Sequence, residues 1–202
     1  MKKLQKIIPI AQEDRLSKAI NIPGSKSITN RAFLLSSLSV LDAKDGEYAY
    51  LNGVLDSNDT RAFYNCIQGL GFDILEVSQN KYKISAISKD SILKNWKSNP
   101  PKIYCHDAGT AVRFLVPMIA ALGGFGVEVS ASKQMTNRPI QALIEALELQ
   151  GSKFRYTYTP GSLPLLIEKN KDSLGLRGGK LLVDTKDSSQ FISGLLMVAP
   201  FA

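Results

Sequence analysis

The 202-residue sequence predicts an α/β (α+β) fold built from a repeated βαβαββ unit, present twice in full and once in part. Three observations predict it. Residues at the mouths of three apolar helices, Lys26, Asp107 and Asp187, stand 81 and 80 residues apart. A second class of helix ends at Gly71 and again, 80 residues on, at Gly151. Short β-branched or aromatic runs such as Lys153-Phe-Arg-Tyr-Thr-Tyr158 fall in matching places between them. Self-similarity at a fixed period marks one supersecondary unit copied and packed against itself.

The first unit reads as strand 18–22, helix 26–39, strand 47–53, helix 58–70 and strands 72–77 and 81–87. The second repeats the order as strand 102–105, helix 109–122, strand 126–130, helix 138–150 and strands 153–158 and 163–167. The third has strand 180–184 and helix 188–199, without a second helix or closing strands, so the chain is expected to be cut short. Glycine closes both second helices, a common C-terminal signal. Segments 88–101 and 168–179, rich in Lys, Asn, Pro and Gly, read as connections. The first helix of each unit (32–38, 111–122, 191–199) is apolar nearly all round, which predicts burial. Three equivalent buried helices would lie side by side and open their N-termini on one face.

Those N-termini carry the chemistry. Asn21-Ile-Pro-Gly-Ser-Lys-Ser-Ile-Thr-Asn-Arg31 gathers a glycine, hydroxyls, a lysine and an arginine at a helix entry. Asp107-Ala-Gly-Thr110 and Asp187-Ser-Ser-Gln190 open the other two helices. A helix start has unpaired N–H groups and the positive end of the dipole, and both attract anions. Lys26 and Arg31 strengthen a phosphate or carboxylate site, and Gly109 permits close approach. One such segment alone leaves open a capped surface helix with incidental charges. Three at one period point to a compound anion site.

Composition is that of an ordinary globular domain, 44% apolar and 21% charged. The net charge of +7 favours anionic ligands. Scattered lysines, without an arginine-rich run or interleaved aromatics, argue against a nucleic-acid partner. Two cysteines, Cys66 in a helix and Cys105 in a strand, read as buried and reduced. They and the single histidine, His106, offer no metal-ligand spacing, so no metal is expected. Met1–Ile10 lacks the apolar run of a signal peptide, and nothing approaches a membrane span. A cytoplasmic protein with no membrane partner is the expectation.

Pro23-Gly-Ser-Lys-Ser-Ile-Thr-Asn-Arg31, Asp107-Ala-Gly-Thr-Ala-Val-Arg113, Arg138-Pro-Ile140 and Ser188-Ser-Gln-Phe191 occur in this order and spacing. Together they closely resemble the N-terminal half of the 5-enolpyruvylshikimate-3-phosphate synthase family, from about residue 8 to the end. The resemblance implies a pseudo-threefold array of the repeat, an enolpyruvyl transferase-like inverted barrel. It implies an N-terminal domain over 16–202, with units 16–90, 100–168 and 178–202, the last truncated. Residues 1–15 would pair with a second domain absent from this chain. The implied reaction transfers the enolpyruvyl group of phosphoenolpyruvate to the 5-hydroxyl of shikimate 3-phosphate, in chorismate and aromatic amino acid biosynthesis. No cofactor is implied.

By the same resemblance, Lys26 contacts both substrates. Ser27, Arg31, Ser188, Ser189 and Gln190 would hold shikimate 3-phosphate. Asp107, Gly109, Thr110, Arg113, Gln134 and Gln190 would face phosphoenolpyruvate. The acid and base groups would lie in the missing half, so this chain alone is expected to be inactive. Asp107 stands where the family usually has asparagine, Gln134 where arginine is common, and Phe114 where proline is frequent. Lys133 or Arg138 could make up for Gln134. A UDP-N-acetylglucosamine enolpyruvyl transferase would share fold and donor, but neither cysteine falls where its loop acid belongs. A non-catalytic anion- or RNA-binding domain made from the same repeat is the reading of another class.

Overall fold

A computed structural model describes residues 22–169 and 175–202. In chain order its elements are α1 (Lys26–Ser39), β1 (Tyr48–Asn52), α2 (Asn58–Gly69), β2 (Ile74–Ser78), β3 (Lys81–Ser85), α3 (Lys89–Ser98), β4 (Lys102–Tyr104), α4 (Gly109–Ala121), β5 (Val127–Ser130), α5 (Lys133–Thr136), α6 (Gln141–Leu149), β6 (Phe154–Tyr156), β7 (Leu165–Ile167) and α7 (Gln190–Val198). A 3-10 turn, Ala199–Phe201, follows.

The strands form two sheets. One has the order β1-β3-β2, with both neighbour pairs antiparallel. The other has the order β4-β5-β7-β6. Its β5-β7-β6 portion has the same order and directions as the first sheet, and β4 adds a parallel edge joined to β5 through α4. Alternation along β3, β5 and β7 sends one face of each inward. Tyr82 and Ile84 of β3, Val127 and Val129 of β5, and Leu165 and Ile167 of β7 are buried.

A helix without a polar face has to be surrounded, and α4 is. Its residues from Gly109 to Ala121 are all buried except the half-buried Arg113. It packs against α1, α2, α6 and α7, and against β5 and β7. Gly175 ties the far ends together: a Cβ there would lie 2.7 Å from the Ala121 carbonyl oxygen and 3.4 Å from that of Phe201. The C-terminal ends of α4 and α7 therefore sit side by side.

Several expectations need correction. Only α4 of the three apolar helices is enclosed. Ile28 and Leu35 of α1 and Ile192 and Leu196 of α7 are exposed, because no described element covers those faces. Residues 88–101 are not mere connection. Ser88 caps α3 by accepting the Ser91 N–H, and Ile92, Leu93 and Trp96 turn inward, with Trp96 Nε1 donating to the Leu70 carbonyl at 2.8 Å. Residues 180–184 form no strand, since they pair with no segment among the described residues. The helix expected over 138–150 starts at Gln141 because Ile140 is not helical, and the short α5 precedes it. Cys105 lies one residue beyond β4, although its N–H still donates to the Ser130 carbonyl. Strand 18–22 falls outside the described residues except for Ile22, which belongs to no strand; segment 1–15 and part of the 168–179 connection also fall outside them. Among the described residues, no helix is long and apolar enough to cross a membrane.

Phe33, Tyr64 and Tyr82 form an aromatic cluster between α1, α2 and β3, with ring centroids 5.2 to 6.1 Å apart. Burial, followed by the nearby Glu76 carboxylate, pushes the Tyr82 phenol up to about 12. Its charged form is the one the fold disfavours. Above pH ~10 the unfolded chain ionises this phenol while the folded chain does not, so stability falls as pH climbs toward about 12. Denaturant melts from pH 9 to 12 (about the span where tyrosine titrates) should show that decline, and Tyr82→Phe should make it shallower. An identical slope in the variant would contradict this.

Candidate functional site

Glycine sets the approach of α1. A Cβ on Gly24 would lie 2.3 Å from the Gly53 carbonyl oxygen, so this backbone contact excludes any larger residue. Thr29 Oγ1 then accepts the Leu55 N–H at 3.1 Å, pinning the first turns of α1 to the β1–α2 connection. The turn into α4 is equally fixed. The Cys105 carbonyl accepts the Ala108 N–H at 3.0 Å, the His106 carbonyl accepts the Ser132 N–H at 3.0 Å, and His106 is left-handed at φ 51°.

The helix starts differ in how they are finished. The starts of α2, α3 and α5 are capped by the side chains of Ser57, Ser88 and Ser132. At α1, α4 and α7 the cap residues Ser25, Ala108 and Ser189 make no side-chain cap bond. Ile140 likewise leaves α6 uncapped. The first amides of an uncapped helix remain available as donors.

Arginine contacts join the starts of α1, α4 and α7. From α1, Arg31 reaches the Ser193 hydroxyl of α7 at 3.2 Å and lies 5.1 Å from the ring centre of Phe114 on α4. From α4, Arg113 donates to Gln190 Oε1 of α7 at 3.3 Å and lies 5.7 Å from the Phe191 ring centre. A Cβ on Gly194 would sit 2.4 Å from the Arg113 carbonyl oxygen and 3.1 Å from Pro117. Pro117 has no N–H to give that carbonyl, so the notch at Gly194 lets α7 close onto the one turn of α4 with a spare acceptor.

The expected residues are placed unevenly. Arg31 donates to the Ser27 hydroxyl and carbonyl. Ser188 Oγ accepts the Gln190 N–H at 3.2 Å, and Ser189 is exposed at the entry of α7. Thr110 is buried in the first turn of α4. Above Gly109, the point where a Cβ would sit is 2.7 Å from Arg113 Nη1, 3.3 Å from Arg138 Nη1 and 3.4 Å from the Met135 sulfur. Arg138 thus shares the Gly109 site with Arg113. Gln134 points from α5 into solvent and makes no hydrogen bond to any described residue of the site. Lys26 is paired with Asp59 at 2.7 Å. Asp107 accepts from the Ser132 hydroxyl, and with Asp59, Arg61, Asn65 and His106 it lines a polar cleft. Asp59 and Ser193 were not legible in sequence; each becomes visible only when separate helices meet.

Charge at this site is unbalanced. Among the described residues, ion pairs join Lys26 to Asp59, Arg61 to Asp56, Lys102 to Glu128, Arg155 to Glu168 and Lys186 to Asp184. Arg31, Arg113 and Arg138 take part in none. Burial, and then the cation of Arg138, pull Arg113 below the usual guanidinium value, with Asp187 opposing them. Arg113 Nε is buried without a hydrogen-bond partner. No group of three His, Cys, Asp or Glu side chains suited to a metal occurs among the described residues.

Residues 10–202 match the family model of EPSP synthase (3-phosphoshikimate 1-carboxyvinyltransferase). The chain belongs to the EPSP synthase family. It is 34% identical over 197 residues to the 3-phosphoshikimate 1-carboxyvinyltransferase of Actinobacillus pleuropneumoniae serotype 5b, covering 96% of this chain and 43% of the relative. It is 36% identical over 200 residues to 3-phosphoshikimate 1-carboxyvinyltransferase 2 of Halalkalibacterium halodurans, covering 99% of this chain and 40% of the relative. The structure of EPSP synthase from Acinetobacter baumannii shares the fold at a TM-score of 0.67 and 19% identity, over 91% of this chain and 38% of that one. The chain therefore spans about two fifths of the length of these EPSP synthase relatives.

Gly194 tests how the helix mouths are held. Gly194→Ala places a methyl group against backbone and a proline ring, neither of which can turn aside. Destabilisation of about 1–3 kcal/mol is expected from overpacking, read by urea denaturation. A variant as stable as the parent would show that α4 and α7 do not meet this closely.

Proposed function

We propose that this chain forms one wall of an enolpyruvyl transferase active site, binding shikimate 3-phosphate and presenting phosphoenolpyruvate to its 5-hydroxyl. One observation carries the proposal: three arginines that form no ion pair among the described residues gather where the starts of α1 and α7, which lack cap-residue side-chain bonds, meet that of α4. Family membership supplies the chemistry that such a site would serve. The fold reading behind it is a βαβαββ repeat in pseudo-threefold array, supported by the shared strand order of the two sheets.

On this reading Ser27, Arg31, Ser188, Ser189 and Gln190 hold shikimate 3-phosphate. Arg31 and Ser27 are already pre-set by their mutual bond, so little side-chain freedom is lost on binding. Gly109, Thr110, Arg113 and Gln190 face phosphoenolpyruvate, with backbone N–H groups and a planar guanidinium fork for its carboxylate or phosphate. Arg138 takes the cationic role that Gln134, turned to solvent, does not. Asp107, whose carboxylate accepts from the Ser132 hydroxyl, is held toward the turn that leads into α4. Lys26, tethered by Asp59, contacts both ligands once it swings from that exposed pair, which costs about 1 kcal/mol or less.

Two anions held together require more positive charge than this wall offers. The groups that move protons onto the methylene carbon and off the hydroxyl belong, we propose, to the part of the relatives that this chain does not match. Positioning would contribute roughly 7–11 kcal/mol to the barrier reduction when both walls are present. This chain alone is expected to bind without turning over.

Titration calorimetry with shikimate 3-phosphate should show saturable binding by the 202-residue chain. Arg31→Gln should weaken it about 10- to 100-fold, the cost of one charge-assisted contact. Addition of phosphoenolpyruvate should release no phosphate. Absence of heat up to millimolar ligand in a folded chain would contradict the binding reading, and steady phosphate release would contradict the missing-wall reading.

A further inference from the structure

The two cysteines of the chain lie on different elements, 39 residues apart in sequence, yet their sulfurs are 3.9 Å from each other. Cys66 is on α2 and Cys105 follows β4. Both are free thiols in the core. A disulfide needs its sulfurs about 2.05 Å apart, so closure asks each to move by roughly 1 Å. Cys66 also donates to the Tyr104 carbonyl at 3.4 Å, which fixes its side chain toward the strand that leads to Cys105.

We propose that Cys66 and Cys105 are a dithiol modification site that a peroxide converts to an intramolecular disulfide. The Cys66 thiolate attacks the peroxide O–O bond, giving a sulfenic acid and one water. The Cys105 sulfur then displaces the second water, forming the S–S bond. Two thiols lose two protons and two electrons, and hydrogen peroxide is reduced to two waters. The asymmetry suits this order. The Cys105 thiol beside it holds Cys66 below the ordinary thiol value, while the same contact and burial push Cys105 up.

The position gives the bond a consequence. Cys105 directly precedes His106 and Asp107, and Cys66 follows Ala62 and Asn65 on α2; those four residues line one polar cleft. The disulfide would tie α2 to the turn that sets Gly109 and the start of α4. It requires no substrate, so it stands apart from the enolpyruvyl transferase reading.

The test uses the 202-residue chain and hydrogen peroxide, with thiols counted by Ellman's reagent in guanidinium. The expected result is a monomer that loses both thiols together, regains both with dithiothreitol, and yields one cross-linked peptide containing Cys66 and Cys105. Its melting midpoint should rise by about 5–15 °C, as for a loop of this length. Cys105→Ser should leave a Cys66 thiol that passes to irreversible oxidation, whereas Cys66→Ser should leave Cys105 unoxidised. Two thiols that persist, sulfinic acid on one cysteine of the parent chain, covalent dimers, or an unchanged midpoint would each overturn the proposal. The parent-chain measurements decide it even if a serine variant does not fold.

Discussion

The structure depends on the enclosure of α4. Because this helix has no polar face, it can persist only with α1, α2 and α7 packed on it and sheet residues beneath it. That packing brings the starts of α1, α4 and α7 to one place. Arg31 and Arg113 then become shared groups: each begins on one helix and contacts a partner on another. Burial of apolar surface, at about 25 cal/mol per Å², is non-directional and cannot by itself align three helices. Direction comes from notches and punctuation. Gly24 admits the β1–α2 connection, and Gly194 with Pro117 admits α7.

The same packing concentrates positive charge where the protein has the least means to neutralise it. The peripheral pairs, such as Arg61 with Asp56 and Arg155 with Glu168, are exposed and contribute little. Among the described residues the arginines at the helix mouths form no ion pair, and the buried Nε of Arg113 has no hydrogen-bond partner. A group of this kind lowers stability until something anionic arrives, and perturbed cations in a cleft are a common sign of function. The cap residues of α1, α4 and α7 make no side-chain bond to their helices, unlike the serines that cap α2, α3 and α5, although Ser188 engages the Gln190 N–H of α7.

Much of this was legible from sequence, for physical reasons. The span of α1, 26–39, follows from a Pro-Gly-Ser entry before an apolar run, and α4 follows from a strand ending at a Gly-Thr start. Elements whose signal lies in partners were not legible. Lys180-Leu-Leu-Val-Asp184 has strand chemistry but pairs with no segment among the described residues, and its Leu181 and Val183 line an apolar groove beside Ile192, Leu195 and Leu196. The α3 helix carries only Ile92, Leu93 and Trp96 as inward residues between lysines and a Pro-Pro stop, too short for a clear period. Asp59 and Ser193 acquire roles from helices distant in sequence. The partner of Asp107, the Ser132 hydroxyl, is likewise one that no spacing rule identifies.

On the proposed reading the three helix mouths act as one receptor. Amide NMR of the chain titrated with shikimate 3-phosphate tests it most directly. N–H signals at Ser27 and Ile28, at Thr110 and Ala111, and at Gln190 and Phe191 should shift together along a single binding curve. Shifts confined to one mouth, or separate curves for separate mouths, would contradict it.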